Sequence, residues 1–207
     1  MQKLKRDEVR KKLLGMGLLI FTAHDLQQLF DTNKQNCQSF LSYNTQNNFL
    51  TRLRKGFYSF TENLPHDFVI ANNIYTPSYV SLESALSFHQ IIPETVYTIT
   101  SVTTKKTQEF KIENKQFIYR SIKKTGFFGY RAYAVESGKV NIAVPEKALA
   151  DYTYYQRINQ KEWNDRIDIS KINKKQLNSF LKKLGGNKLL KFWKENFKAK
   201  KWLTTKR

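Results

Sequence analysis

The sequence predicts an α+β protein, an N-terminal winged helix-turn-helix followed by a mixed domain with an antiparallel sheet and C-terminal helices. Three observations carry that prediction. A capping box at Thr22 opens a short amphipathic helix, which is followed by an Asn/Gln-rich helix and a basic hairpin. Runs of period-two alternation then extend from about Thr95 to Val144. Finally, two lysine-rich ends flank a nearly neutral middle: residues 1–60 carry 10 basic and 4 acidic side chains, 61–160 carry 11 and 9, and 161–207 carry 15 and 4.

The N-terminal elements follow from local chemistry. Val9, Leu13 and Met16 share one face of a helix from about Lys3 to Leu14. Thr22 and Asp25 have the spacing for reciprocal capping, so a second helix starts at Ala23 and buries Leu26, Leu29 and Phe30. Asp31, Thr32 and Asn33 supply a turn and the next cap, and a third helix over about 34–45 buries Cys37, Phe40 and Leu41. Leu50 to Arg54, a turn at Lys55 and Gly56, and the return from Phe57 to Phe60 make a two-stranded wing. The expected boundary of this domain is residue 62, with residues 63–207 forming the second.

In the second domain Pro65 is placed for a helix start, and Pro77 to His89 predicts a short helix capped by Ser81 with Leu82, Ala85, Leu86 and His89 inward. The β-rich runs are 95–104, 108–112, 117–122, 128–135 and 140–144. Pro145 and Glu146 open a helix burying Ala148, Leu149 and Tyr152. Two more stripes, Leu177/Phe180/Leu181/Leu184 and Leu189/Leu190/Trp193/Phe197, are separated by Gly185 and Gly186.

Composition bounds the function. A net charge of +19 and a pI near 9.9 suit a protein that meets phosphate or an acidic surface. The single cysteine, Cys37, excludes an internal disulfide and a cysteine-based zinc site, and no run of eighteen apolar residues is present, so a cytoplasmic protein is expected. In the third helix and the wing, Lys34, Gln35, Asn36, Gln38, Ser39, Tyr43, Arg52, Arg54 and Lys55 are the expected contacts to double-stranded operator DNA. Amide side chains pair with adenine edges in the major groove, and cations at a hairpin tip reach phosphate.

Pro93 and Glu94 with Glu109 to Lys111 have the loose spacing of a metal-dependent nuclease, but exposed strand faces give the same alternation. His24, His66 and His89 have no metal-ligand spacing. No catalytic residue, metal or cofactor is assigned, and the chain is read as a non-enzyme.

Several phrases carry a resemblance to a known family: IANN at 70–73, PSYVSLESAL at 77–86, Ile92-Pro-Glu94, and IAVPEKALAD at 142–151. Over about residues 10–155 the chain resembles the AbiEi antitoxins of abortive infection (type IV toxin-antitoxin) systems, also described as predicted transcriptional regulators. The resemblance implies an antitoxin that neutralises a nucleotidyltransferase-like toxin, directly or indirectly, and represses their shared promoter. Lys182, Lys183, Lys191 and Lys194, on the outer faces of the last helices, are then the candidate antitoxin surface. The alternative is a stand-alone winged-helix regulator whose C-terminal domain senses a ligand or oligomerises.

Overall fold

The computed structural model describes residues 3–159 and 163–204. It shows an α+β protein whose buried apolar side chains fall into two clusters. The first belongs to helices α1 (Arg6–Gly15), α2 (Ala23–Phe30) and α3 (Lys34–Gln46) and to the antiparallel hairpin of β1 (Leu50–Arg54) and β2 (Phe57–Phe60). The Thr22/Asp25 capping box forms in both directions, and the Asn33 side chain caps α3 through the Asn36 amide. Val9, Leu13, Phe21, Leu26, Cys37, Phe40, Leu41, Leu50 and Phe60 fill this core. Met16 does not join them: it stands past the last turn of α1 and is 60% exposed.

The second cluster is built on a six-stranded sheet with the order β5-β6-β4-β3-β8-β7. Its strands are β3 (Ser78–Val80), β4 (Thr98–Thr103), β5 (Gln108–Ile112), β6 (Lys115–Ser121), β7 (Tyr130–Val135) and β8 (Gly138–Ala143). The sheet is mixed, which corrects the antiparallel expectation. β5 and β6 form a hairpin, but β6 lies inside it and pairs with β4; two reversals of direction make that pairing parallel. The short strand β3 then wedges between β4, to which it runs antiparallel, and β8, to which it is parallel. Three residues are too few to show a period, and the segment reads from sequence as the start of a helix. Helix α5 (Leu82–Phe88) begins only after β3 ends.

Helices cover both faces. α4 (Asp67–Ile74) lies on one face, where Tyr119 of β6 donates its hydroxyl to the Ala71 carbonyl at 2.7 Å. α4 starts two residues beyond Pro65 because the His66 ring nitrogen, not the proline, caps it, accepting from the Phe68 amide at 3.1 Å. α6 (Pro145–Asn159) lies on the opposite face, where Tyr155 donates to the Ser121 carbonyl at 2.7 Å, and α5 and α7 (Lys174–Thr204) pack against it. Within α7 the backbone is non-helical at Gly185 and Gly186, so two helical segments meet at the expected break. Leu177, Leu181, Leu189 and Trp193 are buried on both sides of it. Each such side chain contributes about 1.5–3 kcal/mol on burial.

Gly129 holds the approach to β7. Its φ is +74°, and a Cβ there would lie 3.0 Å from Lys147 Cγ and 3.1 Å from Lys147 Cβ. Gly56, in the hairpin turn, has φ +88° with open space around it. Gly129→Ala is therefore expected to lower stability by about 2–3 kcal/mol, combining backbone strain with displaced packing. Gly56→Ala should cost only the backbone component, about 1–2 kcal/mol. Urea midpoints of the two variants check the order; equal losses would show that the Lys147 contact is soft.

Candidate nucleic-acid interface

Helix α3 buries Cys37, Phe40, Leu41 and Asn44 and leaves the rest of its surface outward. Lys34, Gln35, Gln38, Ser39 and Tyr43 are exposed, as the sequence predicts. They do not form a single row. Gln38 lies on the flank toward the hairpin, where Ser42, Gln46, Arg52 and Lys55 join it around a groove of about 470 Å³. Asn36, Ser39 and Tyr43 lie on the other flank, lining a cleft of about 630 Å³ with Lys3, Leu4 and Arg6 of the N-terminal segment. Asn36 is half-buried and donates its side-chain amide to the Thr32 hydroxyl at 3.3 Å, so part of its hydrogen-bonding capacity is already used. Arg6 adds a cation to that side: its guanidinium sits 5.5 Å from the Tyr43 ring and 5.1 Å from the Phe49 ring. Nothing in the N-terminal charge pattern singles Arg6 out, because its place over those rings depends on how α1 crosses α3.

The hairpin divides its three cations. Arg52 and Lys55 are exposed at the groove. Arg54 is not at the tip, which corrects its assignment. The β1–β2 register shifts between Arg52 and Arg54, and a bulge of this kind re-aims the side chain that follows it. The Arg54 guanidinium donates to the Ile74 carbonyl and lies 5.3–5.6 Å from the rings of Phe57, Tyr75 and Phe110. Leu53, beside it, is buried in the second cluster. Arg54 thus fastens the hairpin to α4 and β5, with cation–π attraction of about 0.5–2 kcal/mol at partly buried rings.

At the other end of the chain Lys182, Lys183, Lys191 and Lys194 are exposed on α7. Lys191 is 3.7 Å from Glu195, a solvent-screened pair, and Lys183 lies 4.0 Å from the centre of the Phe128 ring.

The two longest motifs meet inside the protein. Tyr79 and Ser81, from the first, each donate to Asp151 Oδ2, at 2.9 and 2.8 Å. Lys147, from the second, pairs with Asp151 Oδ1 one helical turn away and donates to the Tyr79 hydroxyl at 2.9 Å. Lys147 and Asp151 are both fully buried. Burial pulls the Lys147 ammonium below the usual lysine range, with Asp151 opposing the shift. Burial, then the Asp151 charge, pushes the Tyr79 phenol well above its ordinary value.

Ser81 makes no capping bond to α5, contrary to the sequence reading; its hydroxyl is spent on Asp151. Ser84 instead ties α5 to β4, donating to the Thr98 carbonyl and accepting from the Thr100 amide. Glu146, read as helix-start chemistry, is buried and accepts from the Asn173 amide at 2.9 Å ahead of α7. This network is closed to solvent, and its role is to hold β3, α5 and α6 together.

Elsewhere, Glu94 lies 3.4 Å from Arg166, and Glu109 accepts from Gln116 on the β5–β6 hairpin. Among the described residues no group of three metal-ligating side chains occurs, and no helix is long and apolar enough to cross a membrane. Compared with known proteins, the chain matches no family model and no curated relative.

Removing the lysine from this network strands a carboxylate in the interior. Lys147→Met is expected to cost about 3–5 kcal/mol, and combining it with Asp151→Asn should recover a large part of that loss. Denaturant titration of both singles and the double checks this; additive losses would show that the two charges do not depend on each other.

Proposed function

We propose that the chain is a DNA-binding antitoxin that represses its own promoter and opposes a nucleotidyltransferase-like toxin. In this reading α1–α3 and the β1–β2 hairpin form a winged helix-turn-helix, α3 enters the major groove, and the hairpin is the wing. The observation that carries it is the groove between α3 and the hairpin, where the amides Gln38 and Gln46, the Ser42 hydroxyl and the cations Arg52 and Lys55 share one solvent-facing surface. Amides read adenine edges and cations reach phosphate, so this combination suits duplex DNA. Lys34 and Gln35 are exposed at the start of α3, and Ser39 and Tyr43 on its other flank would meet the neighbouring backbone.

The antitoxin half of the proposal rests on the motif resemblance. It is supported by the charge of the chain end, 15 basic against 4 acidic side chains over 161–207, which suits an acidic protein face. Such a repressor works in the cytoplasm, where its operator is.

Binding to the DNA upstream of the gene, measured across salt concentrations, tests the first half. Gln38→Ala should lose about 1–3 kcal/mol of discrimination at one base pair, centred on an A·T pair. Arg52→Ala and Lys55→Ala should weaken all sequences alike and each lower the salt slope by about 0.9. Arg54→Ala should leave that slope unchanged. A chain that binds no upstream sequence more tightly than random duplex overturns the repressor reading.

The second half is tested by co-expression with the adjacent gene. The full chain should restore growth, and replacing Lys182, Lys183, Lys191 and Lys194 with glutamate should abolish protection. Growth that is never restored by the intact chain removes the antitoxin.

A further inference from the structure

A third cavity, of about 300 Å³, opens on the sheet face opposite α4, between β4 and β6 and the helices α5 and α6. Two charged side chains line it, Glu83 from α5 and Arg120 from β6, both half-buried. Among the described residues neither side chain makes a hydrogen bond or an ion pair. Two half-buried charges of opposite sign in one small cavity, each without a protein partner, leave both free to take a ligand group of opposite charge. Gln156 lines the same cavity, is 7% exposed, and has a buried Oε1 with no hydrogen-bond partner. An anionic group is therefore wanted at Arg120, and N–H donors or a cation at Glu83 and Gln156.

The remaining walls narrow the class. Besides two tyrosine rings, Leu82, Val96 and Ile118 are apolar, and Thr98, Thr100 and Asn159 are polar. Leu82 is held at φ +51°, a conformation rarely adopted by branched side chains, and it stands directly between Ser81 of the buried network and Glu83. A phosphate-bearing ligand fits poorly, since a single guanidinium would face two phosphate charges with a carboxylate nearby. The formal charge of the lining is zero, which matches a zwitterion. A volume of about 300 Å³ is at the small end for ligand sites.

We propose that this cavity binds a free α-amino acid with an apolar side chain, its carboxylate on Arg120, its ammonium on Glu83 and Gln156 Oε1, and its side chain against Leu82, Val96 and Ile118. This is a binding site in the half of the chain that makes no DNA contact in the reading above, and it stands or falls independently of DNA or toxin binding.

The experiment is calorimetric titration and thermal unfolding of the full chain with L-leucine, L-isoleucine, L-methionine and L-phenylalanine, each alone. At least one should bind and raise the unfolding temperature. Phenethylamine and hydrocinnamate, which each lack one of the two charged groups of phenylalanine, should bind more weakly than phenylalanine does, or not at all. Glu83→Gln and Arg120→Gln should each weaken the amino acid about tenfold or more, the scale of one lost charge-assisted hydrogen bond, and a circular dichroism spectrum matching the parent certifies each variant. Should a variant not fold, the two analogues on the parent chain decide the matter.

No binding by any of the four amino acids overturns the proposal. So does binding that both folded variants leave unchanged, which would put the ligand elsewhere. Guanosine monophosphate binding that depends on Arg120, in the absence of amino-acid binding, would replace the proposed class with a nucleotide.

Discussion

The buried Lys147–Asp151 pair is the constraint on which the second half of this protein depends. Desolvating an ammonium and a carboxylate costs several kcal/mol for each, and the cost is tolerable only where every remaining lone pair and proton finds a partner. Here the partners come from a different part of the chain. Tyr79 and Ser81 satisfy Asp151, and the Tyr79 hydroxyl also accepts from Lys147. The four groups therefore hold β3 at one position against α6. An apolar core would tolerate sliding between helix and sheet. A closed polar network does not, because a shift of one residue would leave a buried charge unpaired.

This network explains why the two motifs are separated by some sixty residues and yet read as a unit. It also marks the limit of one-dimensional reasoning. The helix starts at Ala23, Lys34 and Pro145, the hairpin turn at Gly56 and the break at Gly185 and Gly186 were all legible, because caps, turn residues and apolar period are local signals. The burial of Cys37 was legible for the same reason. What was not legible was long-range. Lys147 and Glu146 carry the residue types of an ordinary exposed helix start, and nothing within a helical turn distinguishes them from solvated charges. Their burial follows from the folding of β3 and the segment before α7 onto α6. The parallel pairings of β4 with β6 and β3 with β8 were hidden likewise, since period-two alternation shows that a strand exists without showing its neighbour.

The basic surface divides in the same manner. A count of charge along the sequence treats lysines alike, but the structure gives them different surroundings. Phe128 has Lys147 at 4.9 Å and Lys183 at 4.0 Å from its ring centre, so one aromatic ring links the buried network to the outer surface of α7. Lys183 contributes to the lowering of the Lys147 ammonium's affinity for its proton. A partner that neutralised Lys183 would relieve that repulsion. Lys182 and Lys194, exposed and without such a ring, are closer to simple surface charges, and Lys191 has an acidic neighbour in Glu195. The four lysines, two on each side of the Gly185–Gly186 break, therefore have unequal surroundings.

The hairpin shows how one short element can serve two surfaces. Leu50 and Phe60 pack into the N-terminal core, and Leu53, three residues after Leu50, packs into the other one. Strand alternation alone turns Leu50 and Leu53 to opposite sides, and the bulge between Arg52 and Arg54 breaks the alternation that would otherwise put both arginines on the same side. Arg52 is left facing the α3 groove, while Arg54 is drawn into the Tyr75 and Phe110 rings and onto the last carbonyl of α4. Tyr75 also packs against Tyr119, whose hydroxyl is bonded to α4. The exposed cations of the hairpin are thus carried on a strand anchored at its end to the sheet. Their position relative to α3 is set by the N-terminal core, and their position relative to the sheet is set by Arg54 together with Leu53 and Phe57, which pack against the second core.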